Sequence, residues 1–328
     1  MDPSILSQRN VLESDALDDA VVWTPAIERL AQDVVRWIRL DTPGGAVFGK
    51  QRNGKSCACT YLSVVLSSII GYPIASVVWS IPSNVSVKER DFTQERLRQS
   101  GSTAILHRDV AVLRGRLYEH IAQLAASICA RRVVVMIDEA QNLDHLHYGY
   151  IIHCYNELVN LQVRPFFLLI GQPDLRGATS AWEHSRAHQV VGRFHVNKHV
   201  FLGIHQTEFE VVLAEFDKPV APESPSAAQR LFPVSYAAGW RIADLAPALR
   251  EAIMLAMKQH NLGEDVRIPM QYLRSTVLAY LYRTVEGRRE PADASGAVLL
   301  KCLRDSGFLA VIGYYAESEK SEHRLDDE

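Results

Sequence analysis

The chain has 328 residues, longer than one compact domain requires and short for three. Its residues are 48% hydrophobic and 22% charged, as in soluble globular proteins, and a net charge of −3 excludes a global basic field, so any nucleic-acid contact must be a local patch. No apolar run approaches a membrane span, the start Met1-Asp2-Pro3-Ser4 lacks the layout of a secretory leader, and five cysteines without a CxxC pair argue against a disulfide framework or zinc site, so a cytoplasmic protein with no membrane partner is expected.

Residues 1–22 are polar and acidic, and read as a flexible or partner-bound leader. Thr24-Pro25 opens a helix to about Leu40 with Ile27, Leu30, Val34, Val35 and Ile38 on one face. The short apolar strand 46–48 then runs into Gly49-Lys50-Gln51-Arg52-Asn53-Gly54-Lys55-Ser56 and a helix over 55–70. Triphosphate oxygens need convergent N–H donors and a cation, which a strand-loop-helix turn supplies through its amides, the helix N-terminus and Lys55. Gly49, Arg52, Asn53, Gly54, Lys55, Ser56 and Cys57 are the expected contacts to ATP, with Ser56 on Mg2+. Cys57 and Cys59 read as small buried residues of the helix. An ordinary loop could carry the octapeptide, but not together with the acidic motif described below.

Ile74 to Ile81 is a second strand, and residues 82–108 form an irregular, charged insertion before a helix over 110–130. Within 84–116, Lys88, Arg90, Arg96 and Arg98 lie among Glu89, Asp91 and Glu95, either a phosphate-binding patch or a solvated face of mixed charge. Val133-Val134-Val135-Met136-Ile137 is a buried central strand ending on Asp138-Glu139-Ala140-Gln141, where ligands bind in open α/β sheets. Asp138 would hold magnesium through water, and Glu139 would activate the attacking water.

A helix near 148–162 leads to the strand Phe166-Phe167-Leu168-Leu169-Ile170, stopped by Gly171-Gln172-Pro173. Gln172 is a γ-phosphate sensor or a plain turn residue. Arg176, Arg186 and Arg193 follow, of which Arg193 before Phe194 is the candidate arginine finger and a surface arginine is the alternative. From Thr207 the pattern is helical, and Gly239-Trp240-Arg241 before the helix from Ile242 could aim Arg241 at the phosphates. Residues 286–296 are linker-like, a short helix and an apolar strip occupy Ala297 to Tyr315, and Glu317 to Glu328 is an acidic tail. The whole predicts an α/β fold with a central parallel sheet, comprising a nucleotide-binding domain over 23–205, a helical lid over 206–285 and a C-terminal extension over 286–328.

The phosphate loop, Asp138-Glu139-Ala140-Gln141, Gly171-Gln172-Pro173, the arginine segment and Gly239-Trp240-Arg241 stand in the order of AAA+ ATPases. More narrowly, over about residues 24–285, the chain resembles the TnsC/TniB regulators of DNA transposition, whose phosphate loops can carry an arginine where most relatives have glycine, as Arg52 does here. The resemblance implies an AAA+ P-loop NTPase core and an ATP-dependent ring or helical filament on double-stranded DNA. That homo-oligomer would link target-selector proteins to a transposase. The Asp-Glu-Ala-Gln and Gly-Gln-Pro signatures also occur in ExeA-type secretion ATPases, which leaves a protein-remodelling ATPase as the alternative.

Overall fold

The computed structural model describes residues 22–175, 191–219, 224–263, 266–287 and 289–316. The chain divides into two compact units, Arg29–Gln51 with Lys55–Phe201, and Met1–Glu28 with Arg52–Gly54 and Leu202–Glu328. The leader 1–21, Arg176, Arg186 and the acidic tail 317–328 lie outside the described residues.

The first unit is built on a parallel sheet of β1 (Gly44–Phe48), β2 (Ile74–Ser80), β3 (Arg132–Asp138), β4 (Arg164–Gly171) and β5 (Lys198–Val200), in the order β2-β3-β4-β1-β5. The two apolar runs expected as central strands are β3 and β4, paired as Val134↔Phe166 and Met136↔Leu168. Every residue of Val133–Ile137 and Phe166–Ile170 is fully buried. Burial on both faces is the reason these strands are apolar throughout rather than alternating. β5 escapes a pattern reading because it is three residues of mixed polarity, recruited as an edge by pairing with β1.

Helix α1 (Pro25–Arg39) precedes β1, and α2 (Lys55–Ile70), α3 (Glu89–Gln99), α4 (Val110–Ser127) and α5 (His145–Asn160) lie in the connections from β1 to β4. The Asp144 carboxylate accepts the N–H groups of Leu146 and His147 at the start of α5, satisfying two otherwise orphaned donors. The insertion expected to be irregular contains α3, which buries Phe92, Thr93, Arg96 and Leu97. Its charge density conceals the helix because Arg96, nominally polar, belongs to the buried face.

The second unit is helical, with α6 (Phe209–Phe216), α7 (Ala227–Leu231), α8 (Pro233–Ala237), α9 (Ala246–Gln259), α10 (Met270–Glu286), α11 (Gly296–Asp305) and α12 (Phe308–Ala316). Phe209, Leu213, Leu249, Leu273, Leu303 and Phe308 belong to one hydrophobic core, so α11 and α12 pack with the helices before them. The Tyr272 ring sits 5.6 Å from Phe308 and 6.0 Å from Tyr315, and the Gly296 N–H donates to Glu251 at 3.0 Å. Asp217 accepts the N–H groups of Ile242 and Ala243, capping the turn that leads into α9. Burial raises its pKa, against the lowering by these two bonds.

Candidate functional site

In the α/β unit, β3, β4 and β1 are neighbours, so the turns at their carboxyl ends are adjacent. The phosphate loop leaves β1, Glu139 follows β3 and Gln172 follows β4. The Gly49 N–H donates to the Gly171 carbonyl at 3.2 Å, tying the start of the loop to the end of β4.

Lys55 is buried, and its Nζ donates to the carbonyls of Gly49 and Lys50 at 2.7 and 2.8 Å. Burial holds the Lys55 ammonium below its ordinary pKa, while the charges of Glu139 and Asp138 pull it back up. Ser56 Oγ donates to Asp138 Oδ2 at 2.6 Å, which brings together the two groups expected at magnesium. A hydroxyl and a carboxylate oxygen are the hard donors that Mg2+ prefers, so the residues fit that ion. Gly54 has φ of 104°, a backbone state that any side chain would strain.

Arg52 and Gly54 also lie at positive φ in the loop segment that groups with the helical unit. The Arg52 guanidinium stands over the Tyr272 ring at 5.2 Å, and its carbonyl accepts the Gln271 N–H at 3.3 Å. Cys59 is buried, which raises the pKa of its thiol, but Cys57 is exposed and corrects the expectation that both are buried. Ala58 alone separates them on α2, and two positions are about 200° apart around a helix axis, so the two side chains turn to different faces.

Glu139 adopts the left-handed conformation (φ 56°, ψ 38°), uncommon outside glycine and concentrated at functional sites. Its N–H donates to Asp138 Oδ1 at 3.0 Å. Its Oε2 accepts from Gln141 Nε2 at 2.5 Å and from Gln172 Nε2 at 3.3 Å. Gln141 Oε1 accepts the Gln172 N–H at 3.0 Å, and Gln172 Oε1 accepts from Gln51 Nε2 at 2.9 Å. Sequence reasoning had singled out neither Gln51 nor Gln141 as a site residue. The signal was present in the position of each, one inside the phosphate loop and one two residues after Glu139.

The remaining candidates have partners of their own. Arg193 donates to Asn156 Oδ1 at 2.8 Å and lies over the Tyr155 ring at 5.2 Å. Arg241 donates to the carbonyls of Tyr236 and Trp240 and stacks 3.6 Å from the Tyr236 ring centroid, so its guanidinium is engaged in its own turn. Of the four basic residues expected to face DNA, Lys88, Arg90 and Arg98 are exposed. Arg96 is not: only 1% exposed, it donates to the Ser80 carbonyl and lies over Phe92. That corrects its place in the patch, because a guanidinium used to cover the sheet edge cannot also meet a phosphate. Arg98 is paired with Glu95 through two nitrogens, which offsets its charge.

A profile of the family described as AAA domain matches residues 41–178, the span from β1 to the end of β4. No curated protein matches the chain in sequence. Among solved structures, the Aeropyrum pernix ORC2 protein in its ADPNP–ADP complexes is similar with a TM-score of 0.59 and 13% identity, over 89% of this chain and 71% of that one. The Cdc6p of Pyrobaculum aerophilum aligns with a TM-score of 0.52 and 14% identity, over 84% and 67%. The Drosophila ORC bound to AT-rich DNA and Cdc6 aligns at 0.50 and 11%, over 88% of this chain and 42% of that one. At these identities the likeness is one of fold. With the matched domain, it places an AAA+ ATPase domain on a P-loop NTPase fold in this chain.

Proposed function

We propose that the protein is an ATP-dependent, DNA-binding regulator of transposition that oligomerises on target DNA and links target selection to a transposase. The observation that carries its chemistry is the convergence of Lys55, the Ser56–Asp138 pair and Glu139 at adjacent strand ends. Lys55 and the loop amides bind the triphosphate, and Ser56 and Asp138 hold Mg2+, which when bound neutralises phosphate charge. Glu139 takes a proton from water as the water oxygen bonds to the γ-phosphorus, whose bond to the β,γ-bridging oxygen breaks to leave ADP and phosphate. Gln172 holds the γ-phosphate side of that arrangement.

DNA is proposed as a partner on two supports, the order of motifs shared with transposition regulators and the likeness of the fold to an ORC structure that is bound to AT-rich DNA. Lys88, Arg90 and Arg98 are the proposed phosphate contacts, and Arg193 the proposed finger of a neighbouring copy. Residues 23–205 form the proposed nucleotide-binding domain, with the lid beginning at 206. Among the described residues no helix is long and apolar enough to cross a membrane.

The test is duplex binding with ATP or a non-hydrolysable analogue. Cooperative binding that falls steeply with salt and weakens when Lys88, Arg90 and Arg98 are neutralised together supports the reading. Absence of any affinity for duplex DNA at low salt rejects it in favour of an ATPase that remodels protein.

A further inference from the structure

Two glutamine relays converge on the Glu139 carboxylate, and their polarity is set by the groups at their ends. A backbone N–H only donates, so the Gln172 N–H fixes the Gln141 amide with its oxygen inward and its nitrogen toward Glu139. A carboxylate only accepts, so Gln172 turns its nitrogen to Glu139 and leaves its oxygen for Gln51. In each relay an amide that accepts at one end donates more strongly at the other. The first relay needs Gly171, because a Cβ there would meet Gln141 Oε1 at 2.7 Å and Leu175 Cδ2 at 3.0 Å.

We propose that Gln141 is the positioning residue of Glu139, holding its carboxylate in the left-handed turn after β3, and that Gln51 ties the same carboxylate to the phosphate loop through Gln172. The inference rests on the reading of Glu139 as the group that activates water. A shift of the loop on the polyphosphate then reaches Glu139 through side chains alone. Gln141 donates to the same Oε2 and joins the ends of β3 and β4, so that the carboxylate keeps its direction while the phosphates change.

Gln141→Met keeps length and removes both hydrogen bonds. Removing a bond to a charged group predicts a fall in kcat of about ten- to a hundredfold, with the ATP dissociation constant, measured with a fluorescent ATP analogue, within about twofold of wild type. Gln51→Leu, at an exposed position, should lower kcat by about threefold to tenfold through the longer relay. The decisive readout is a double-mutant cycle: in a Glu139→Gln background, Gln141→Met should change the residual rate by less than about twofold, because the carboxylate it positions is gone. Should Gln141→Met fail to fold, Gly171→Ala displaces the same amide from outside and should show the same pattern. Wild-type kcat in Gln141→Met, or an equal loss with and without the Glu139 carboxylate, overturns the inference alone. A Glu139→Gln enzyme that turns over at the wild-type rate instead overturns the water-activation reading, and the inference with it.

Discussion

In the α/β unit, polar side chains reach one another from strand ends far apart in sequence: Ser56 meets Asp138, and Gln51 meets Gln172. In the helical unit the reach along the chain is shorter: Arg241 binds the carbonyls of its own turn, and Asp217 binds the amides of Ile242 and Ala243, 25 and 26 residues on, in the turn leading into α9. The difference follows from how each element satisfies its backbone. A helix leaves orphan groups only at its termini, so nearby side chains cap them. Parallel strands all present their carboxyl ends on one edge, which gathers residues from separate loops without requiring each to be satisfied locally.

The largest expected effects lie at the phosphate loop and the acid after β3. Lys55→Ala should abolish ATP binding in an equilibrium nucleotide assay. Glu139→Gln should bind ATP normally and release phosphate about 10²- to 10⁴-fold more slowly. Equal, unimpaired hydrolysis in both would show that the strand-end cluster is not where the chemistry occurs.

The two cores offer the next contrast. Phe167 and Phe308 are both fully buried, one in the sheet and one among the helices. Truncation of either to alanine should cost about 3 to 5 kcal/mol in chemical denaturation. If the units are independent in stability, each variant should move only one of two transitions.

Acid should act on the sheet unit. Burial, helped by the charge of Lys198, lowers the pKa of His195 from 6.5 to about 4. Between those values the unfolded chain takes up a proton that the folded chain refuses, so this contribution is complete above pH 6.5 and is lost as pH falls through 4. It amounts to on the order of 3 kcal/mol. His195→Gln should flatten the stability profile across that window in urea titrations. Asp33, whose pKa is lowered mainly by its bond to His199, adds a loss of the same sign below the ordinary carboxylate range.

The smallest effect belongs to the cap on the turn before α9. Asp217→Ala removes both bonds to the turn before α9 and should lower stability by about 1 kcal/mol, with ATP affinity unchanged. A large loss of ATP affinity would mean that the helical unit does more for nucleotide than its local bonding suggests.

Residue order alone determined the strands β3 and β4 and the glycine-bearing turn from β1 into α2, because each is a contiguous string whose own composition carries the signal. An apolar run must be buried on both faces, and a glycine-rich turn into a helix must present amides. Tertiary structure alone decided what depends on contacts between strings. It recruited Lys198–Val200 as an edge strand, joined α11 and α12 to the core of the preceding helices, and placed Arg96 inside while Lys88 stayed outside. It also set Gln51 and Gln141 around Glu139, since a glutamine has no chemistry of its own to announce and acquires a role only from the groups at its two ends.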